Sequence, residues 1–463
     1  MKTTFKLKMI VAPAIFLCLS CAQETKQKEA VKEETQTVKL MTLDPGHFHA
    51  ALVQKTMYPL VDSTIHVFAP KGPEVDDFLN KIEQYNSRDE HPTAWKVNTY
   101  LEDDYLNRMV TEKPGNVMVV AGKNSKKIDY ILAAVKAGLN VYADKPLVIN
   151  SDGFNKLKEA FKIAEEKGVL IYDIMTERFE STTMMQKKFS TLPSVFGDLV
   201  NGTAEEPAIS KESVHHFYKY VSGKPLVRPS WFFDVNEEGE GIVDVTTHLV
   251  DLVQWEAFPG QIIDSSQIEM VKARRWPTVL SLKEFQDVTG MESYPDYLEK
   301  DIKEDGLNVY CNGEMTYKIK GKFAKVSVIW NYRAPEGTGD THYSIMRGTK
   351  SNLIIKQGEE ENYKPVLYVE SKLGNDFEKT LKLAVQNEIA EEFPGTTVEK
   401  IEDGKWKIGI PDKFKIGHEA HFAQVTSNYL KYLESGKLPS WEVPNMLTKY
   451  YTTIAAYKKA KEN

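Results

Sequence analysis

The amino-acid sequence predicts an α/β protein, in which an N-terminal doubly wound parallel sheet is followed by an α+β domain with an open, largely antiparallel sheet. Between residues 38 and 178, short apolar runs alternate with stretches of helical periodicity. Strands separated by helices form right-handed crossovers and therefore a parallel sheet. Beyond residue 178, longer runs alternate apolar and polar residues, which is typical of antiparallel strands with one solvated face.

The elements of the first half follow one another in a regular order. The run "VKLMTL" predicts the first strand, "HAALVQKTMYPLV" a helix and "TIHVFA" the second strand. A charged insertion (71–95) precedes the strand "NVMVVAG", the helix "SKKIDYILAAVKAG" and the strand "NVYADKPL". The helix "DGFNKLKEAFKIAEEKG" and the strand "VLIYDIM" complete a domain of residues 38–178.

The second half predicts an α+β domain of residues 179–435, which supplies the substrate site and an assembly face. Its strands are indicated by "LNVYCNGEMTYKIKGKFAKVSVIWNY" and "HYSIMRGTKSNLIIKQ", and a helix by "GIVDVTTHLVDLVQW". The open sheet would suit the assembly of a homo-oligomer. Residues 436–463 predict a C-terminal helix that packs back on the core.

The first residues predict export. A basic start, an apolar run and then Ser20–Cys21 resemble a bacterial lipoprotein signal, with residues 1–20 removed and Cys21 lipidated. The polar segment 21–37 predicts a flexible tether. The protein is then expected in the bacterial cell envelope, lipid-anchored and either periplasmic or at the surface. The alternative is a plain secretory signal with an incidental cysteine.

Composition narrows the class of ligand. The chain has 463 residues, 41% of them hydrophobic, and a formal net charge of −7. Proteins that bind nucleic acids or anionic membranes need a basic face. The net negative charge therefore disfavours both kinds of partner and favours a small neutral ligand. After Cys21 only Cys311 remains, so the mature chain forms no intrachain disulfide.

Two short motifs carry candidate chemistry. Lys145 and Pro146 follow a strand of the parallel sheet, and ligands of such sheets lie off the carboxyl ends of the strands. Asp244 and His248 are four residues apart on a predicted helix and share one face, which suits an imidazole tuned for acid–base chemistry. The alternatives are a surface lysine before a loop proline and an ordinary pair on a helix surface.

Together, and in this order, the motifs resemble the Gfo/Idh/MocA family, the relatives of glucose–fructose oxidoreductase and inositol dehydrogenase. The family's Glu-Lys-Pro motif matches "ADKPL", and its Trp-x-x-Asp…Gly-Gly-Gly…Asp-x-x-x-His…Asp segment matches "WFFDVNEEGEGIVDVTTHLVDL". The layout is similar over roughly residues 38–435. The matching residues are Asp144, Lys145, Pro146, Trp231, Asp234, Gly239, Gly241, Asp244, His248 and Asp251.

The resemblance implies a Rossmann-type domain and an NAD(P)-dependent oxidoreductase that acts on a hydroxyl of a sugar or glycoside. It implies that Lys145 binds the reacting oxygen beside the nicotinamide, that His248 accepts the hydroxyl proton, and that Asp244 orients the substrate. An exported enzyme has no free nicotinamide pool, so the cofactor is expected to be tightly bound. The alternatives are a glycosidase or lyase that uses bound NAD for transient oxidation, and a cofactor-free carbohydrate-binding lipoprotein.

The turn after the first strand departs from the family's Gly-x-Gly-x-x-Gly or Ala pattern. Asp44 stands at the first position, Gly46 at the second, and His49 or Ala50 near the third. Gly46 retains the close approach that a pyrophosphate needs. Asp44 adds a negative charge and Pro45 removes an N–H donor, so the anion site is expected to be weakened.

Two histidines and a lysine complete the expected cofactor site. His47 and His49 are interpreted as donors to phosphate, with plain helix-entry residues as the alternative. Lys71 occupies the position at which an acidic residue would bind the ribose and favour NAD, so the sequence does not choose between NAD and NADP. No metal site is predicted, because the two histidines match no recognised motif and "HEAH" (418–421) has the wrong spacing for a zinc helix.

Residues before and within the tryptophan motif are candidates for binding a carbohydrate. Trp231 would offer an aromatic face to a sugar ring, and His215, His216 and Arg228 precede it in the sequence. The alternative is that the aromatic residues belong to the core and the histidines to the surface.

Overall fold

The structure is a computed structural model that describes residues 37–221, 224–374 and 376–462. The predicted signal peptide, nearly all of the predicted tether and Cys21 lie outside these residues. Among the helices that the structure describes, none is both long and apolar enough to cross a membrane.

The N-terminal sheet has six parallel strands in the order β3-β2-β1-β4-β5-β6. The strands are β1 (Leu40–Leu43), β2 (Thr64–Ala69), β3 (Lys96–Leu101), β4 (Val117–Val120), β5 (Asn140–Asp144) and β6 (Ile171–Ile174). The helices between them are α1 (His49–Leu52), α2 (Pro73–Ser87), α3 (Tyr105–Glu112), α4 (Asn124–Lys136) and α5 (Ser151–Lys167). Strands β1, β4, β5 and β6 are buried along almost their whole length, as expected for a parallel sheet that is covered by helices on both faces.

The charged insertion expected at 71–95 is instead mostly helical. Helix α2 begins with Pro73 at its first turn and buries Val75, Phe78 and Ile82, whose spacing of three and four residues places them on one face. Its charged residues lie on the solvent side. The helix therefore makes the crossover from β2 to β3, an edge strand that the sequence did not indicate.

The second sheet is mixed and mostly antiparallel, with the order β10-β12-β13-β7-β14-β15-β16-β18-β17 and β11 paired to β12. One internal pair, β13 with β7, is parallel. The strands of the second half are β7 (Ile209–Tyr218), β8 (Tyr220–Val221), β9 (Lys224–Pro225), β10 (Ile268–Leu280), β11 (Ile302–Lys303), β12 (Gly306–Ile319), β13 (Lys322–Arg333), β14 (Thr341–Arg347), β15 (Ser351–Lys356), β16 (Val366–Ser371), β17 (Thr397–Glu402) and β18 (Lys405–Gly409). The predicted fold class, a doubly wound parallel sheet followed by a largely antiparallel one, is confirmed.

The helices of the second half lie against both sheets. They are α6 (Ser181–Ser190), α7 (Thr246–Ala257), α8 (Leu282–Thr289), α9 (Phe377–Ala384), α10 (His418–Ser435) and α11 (Glu442–Lys461). On α10, Tyr429 stacks on Tyr142 of β5 and Tyr172 of β6, with ring centroids 4.7 and 5.6 Å away. Helix α10 thus covers the first sheet and brings its N-terminus, at His418, towards the carboxyl ends of that sheet's strands.

Candidate active site

A cleft of about 830 Å³ opens at the carboxyl ends of the first sheet, a volume in the range of small-molecule sites. The turn between β1 and α1 and the end of β5 form one wall. Helix α7 and strand β7 form another, and the N-terminus of α10 closes a third side. The fold therefore places the cleft where ligands of doubly wound sheets bind, and gives it a lining from both halves of the chain.

Lys145 and Asp244 are joined across this cleft. Lys145 directly follows β5, and its Nζ lies 2.7 Å from Oδ1 of Asp244. Their side chains are 12% and 7% exposed. Burial disfavours the ammonium, but the neighbouring Asp244 and Asp144 carboxylates outweigh it and raise the pKa of Lys145. The lysine is therefore a fixed cation at the edge of the parallel sheet.

His248 lies one helical turn beyond Asp244 and lines the same cleft. Helix α7 begins at Thr246, so Asp244 stands in the turn before the helix and His248 in its first turn. Among the described residues, the buried Nδ1 atom of His248 has no hydrogen-bond partner. Burial, together with the charge of Lys145, lowers the pKa of His248 well below its ordinary value of 6.5. The imidazole is thus uncharged at neutral pH.

The loop that leads into α7 is held close to the rest of the protein. A Cβ atom at Gly241 would lie 1.6 Å from the carbonyl oxygen of Cys311, and one at Gly239 would lie 2.7 Å from Cγ2 of Ile149. The two glycines therefore allow the loop to pass between β12 and the start of α5. The atoms nearest to both Cβ positions belong to the protein, so these glycines serve the packing of the loop.

The predicted substrate residues separate into two groups. His215 and Arg228 line the cleft. The His215 ring stacks on Trp330 at 4.9 Å between centroids, and burial lowers the pKa of Arg228 to about 10. His216 is 4% exposed and bonds to Asp340, and Trp231 is 5% exposed; neither belongs to the cleft lining.

The turn after β1 is built from within the protein. Asp44 has a φ of 44°, and its Oδ2 accepts a hydrogen bond from Tyr130 at 2.7 Å. The backbone N–H groups of Gly46 and His47 both donate to the carbonyl of Ala121, each at 3.1 Å. A Cβ at Gly46 would contact Trp231 at 3.4 Å. Two N–H groups of the turn are therefore already used, and a role for Gly46 towards pyrophosphate stays a prediction.

The remaining predicted cofactor residues lie in different places. His47 and His49 line the cleft, whereas Lys71 is exposed just after β2 and outside the lining. His49 Nδ1 lies 3.0 Å from Oδ2 of Asp144. Burial, then the neighbouring His49, lowers the pKa of His47 well below its ordinary value.

Several cleft residues were not singled out from the sequence. Asp340 sits in the loop before β14, where its two oxygens bond to His215 and His216; despite burial these hydrogen bonds lower the pKa of Asp340. Burial, then the Asp244 carboxylate, raises the pKa of Glu238 well above its ordinary value. Glu238 adjoins Gly239 of the matched motif, so a search for acids around that motif would have found it. No pattern in the sequence marks Asp340.

Comparison with known proteins places the chain in a family. A family model described as "Putative oxidoreductase C terminal domain" matches residues 185–461, more than half of the chain. No curated protein matches. Among solved structures, a "putative oxidoreductase from Parabacteroides merdae ATCC 43184" is 56% identical, with a TM-score of 0.90 over 92% of this chain and 98% of that chain.

More distant structures share the fold. Levoglucosan dehydrogenase, solved in complex with NADH, is 13% identical with a TM-score of 0.59, covering 92% of this chain and 97% of its own. KijD10, a 3-ketoreductase from Actinomadura kijaniata solved with NADP and TDP-benzene, is 11% identical with a TM-score of 0.55, covering 91% and 97%. The chain therefore belongs to the oxidoreductase family that the matching model describes, and it shares its fold with these dehydrogenase and ketoreductase structures.

Proposed function

We propose that the protein is an NAD(P)-dependent oxidoreductase that acts on a hydroxyl or keto group of a carbohydrate. The observation that carries the proposal is the joint placement of a charged Lys145, a carboxylate at Asp244 and a neutral His248 in one buried cleft. A cation and a proton acceptor are the two groups that alcohol oxidation requires from a protein.

The cleft suits the reactive end of a nicotinamide cofactor. The volume of about 830 Å³ leaves room for the nicotinamide ring beside a sugar. Among the described residues, Nδ1 of His248 has no hydrogen-bond partner, so it is available to bind a ligand. NADH and NADP are bound in the neighbours with the same fold, which supports NAD(P) here. The turn at Gly46 supplies fewer free N–H donors than a three-glycine turn, so contacts elsewhere must hold the phosphates.

Each side chain has a definite task in this proposal. A nicotinamide cofactor bound in the cleft would supply the hydride donor or acceptor for the substrate carbon. Lys145 binds the reacting oxygen and stabilises the negative charge that develops on it. Asp244 keeps the ammonium in place through the 2.7 Å contact. The neutral His248 takes up the hydroxyl proton during oxidation and returns it during reduction.

The carbohydrate side of the proposal relies on the part of the cleft lined by His215, Arg228 and Trp330. The Trp330 ring is 7% exposed, with His215 stacked on it and the Arg228 guanidinium 5.2 Å from its centroid. Sugars bind to such combinations of aromatic faces and hydrogen-bond donors. The neighbours solved as a levoglucosan dehydrogenase and a 3-ketoreductase support a sugar substrate.

Mass spectrometry tests the proposal directly. Purified protein is denatured to detect released NAD or NADP, and then incubated with a panel of glycosides and either nucleotide to detect keto-sugars. We expect a bound nucleotide, a keto product, and turnover reduced by about 10²–10⁴-fold in Lys145→Met and His248→Asn, with nucleotide retained. His91→Asn, which changes an exposed histidine, is the control.

Three results would overturn the proposal. The absence of nucleotide after soaking with either cofactor would favour a carbohydrate-binding protein. Glycoside cleavage without net oxidation would favour a glycosidase or lyase that uses the cofactor transiently. Full turnover in both Lys145→Met and His248→Asn would remove the assigned roles.

Export and lipidation at Cys21 are also part of the proposal. They rest on the basic and apolar start of the chain and on Ser20–Cys21.

A further inference from the structure

Two histidines and an aspartate converge at the carboxyl edge of the first sheet. His47 and His49 stand in the turn after β1, and Asp144 is the last residue of β5. One potential ligand atom from each lies within 4.8 Å of the others. His47 is half-buried, and the other two are buried. Residues about 95 positions apart are thus brought to one point by the parallel sheet.

The spacing of these atoms suits coordination of a small cation. Nδ1 of His49 lies 3.0 Å, and Nδ1 of His47 3.7 Å, from the same Oδ2 of Asp144. Tetrahedral zinc with ligands at 2.0–2.2 Å places neighbouring ligand atoms about 3.4 Å apart. The two distances lie on either side of this value, so modest rotations of the side chains would form the site.

A hydrogen bond explains only part of the cluster. A proton on His49 accounts for the 3.0 Å contact with Asp144. The Nδ1 atom of His47 accepts a hydrogen bond from the backbone N–H of His49 at 3.3 Å, and it lies 3.7 Å from the same Asp144 oxygen, beyond hydrogen-bond distance, with the His47 ring 4.1 Å from that of His49. Two imidazoles that converge on one carboxylate oxygen are typical of ligands to a shared cation.

A third imidazole and the local charge also favour a cation at this cluster. His418 at the start of α10 lines the cleft, with its ring centroid 5.2 Å from that of His49. Within the described residues, the Asp144 carboxylate forms no ion pair with a lysine or arginine, and only the two histidines lie within salt-bridge distance of it. The lining of the cleft contains seven carboxylates against three lysines and arginines. Even if Glu177 and Glu238 are protonated, negative charge remains in excess.

We propose that His47, His49 and Asp144 bind one divalent transition-metal cation of the zinc class. Three protein ligands leave a coordination position that faces the cleft, as in catalytic metal sites, and His418 is placed to approach it. Nitrogen and oxygen ligands in a two-to-one ratio select zinc, cobalt or nickel over calcium and magnesium. A cation bound by the two histidines would supply positive charge in a turn that has fewer free N–H donors than a three-glycine turn.

Metal binding is tested on the purified protein without nucleotide. The protein is stripped with EDTA, titrated with Zn²⁺ against a chelating indicator and loaded with Co²⁺ for visible absorption. We expect about one equivalent of Zn²⁺ per chain and a Co²⁺ spectrum of low coordination number. His47→Ala leaves the hydrogen bond between His49 and Asp144 in place, so it should fold, and we expect it to weaken Zn²⁺ binding at least about 100-fold.

Asp144→Asn, which keeps the shape of the side chain, should also weaken binding and change the Co²⁺ spectrum. His91→Asn, at an exposed position, should bind as the wild type does. Two results would refute the site: no stoichiometric binding of Zn²⁺ or Co²⁺, or equal affinities in the wild type and His47→Ala. Because the titration needs neither nucleotide nor sugar, it stands or fails separately from the proposed oxidoreductase activity.

Discussion

Arg178 anchors the helix that carries His248, and its replacement gives the sharpest test of how the cleft is held. Its guanidinium donates two hydrogen bonds to Asp251 on α7, at 2.6 and 2.7 Å, and two to Glu442 on α11, at 2.9 and 3.1 Å. Lys449 donates to Asp251 as well, at 2.8 Å. The Arg178 side chain is 7% exposed, and those of Asp251 and Glu442 are 2% and 0% exposed.

The substitution Arg178→Met removes the cation that pairs with both Asp251 and Glu442, and Asp251 keeps only Lys449, which also pairs with the buried Asp173. Each hydrogen bond to a charged group contributes roughly 1.5–3 kcal/mol, so four amount to about 6–12 kcal/mol before compensation. Protonation of Glu442, whose pKa burial already raises, and the packing of the methionine offset part of this loss. We therefore expect the free energy of unfolding to fall by about 3–5 kcal/mol, as for other broken buried ion pairs.

Urea unfolding followed by circular dichroism measures this change, as a lower midpoint at an unchanged slope. Arg108→Met is the matched control, because Arg108 also bonds two carboxylates but is 38% exposed. The control should unfold as the wild type does. Equal midpoints for Arg178→Met and Arg108→Met would refute the reasoning that the buried network anchors α7.

Three further predictions concern other parts of the chain. Burial raises the pKa of Glu177 to about 7, so the stability that its neutral form contributes is complete below the ordinary value of 4.5 and is lost as the pH rises through 7. Glu177→Gln should therefore match the wild type in urea unfolding at pH 4.5 and exceed it by about 1–3 kcal/mol at pH 8; an equal difference at both pH values would contradict this. Gly241→Ala places a Cβ 1.6 Å from the carbonyl of Cys311 and should lower the free energy of unfolding by about 2–3 kcal/mol, whereas Gly339→Ala, with open space at its Cβ, should be neutral in the same assay. Cys21→Ser should abolish incorporation of labelled palmitate and release the protein from the membrane fraction; unchanged membrane association would argue for a plain secretory signal.

Local patterns were enough to predict most of the fold. Strands β1, β4 and β5 were predicted because each is a short apolar run, as is typical of a buried parallel strand. Helices α4 and α5 were predicted because their apolar residues recur every three or four positions, on the face that packs against the sheet. Helix α2 was missed since its three buried residues are diluted by charges on the solvent face. Lys145, Asp244 and His248 were singled out because motifs place them, and the structure brings them into one cleft.

Residues close together in the chain were enough to indicate most of the order of strands and helices, the change from a parallel to a largely antiparallel sheet, and the lysine, aspartate and histidine of the cleft. Periodicity and short motifs carry that information, because they depend on residues near one another in the chain. The contacts of His49 with Asp144, of Asp340 with His215, and of His418 with His49 form only when the chain folds. These contacts join residues about 95 to 370 positions apart, and the packing of sheets and helices creates them, so no local spacing records them.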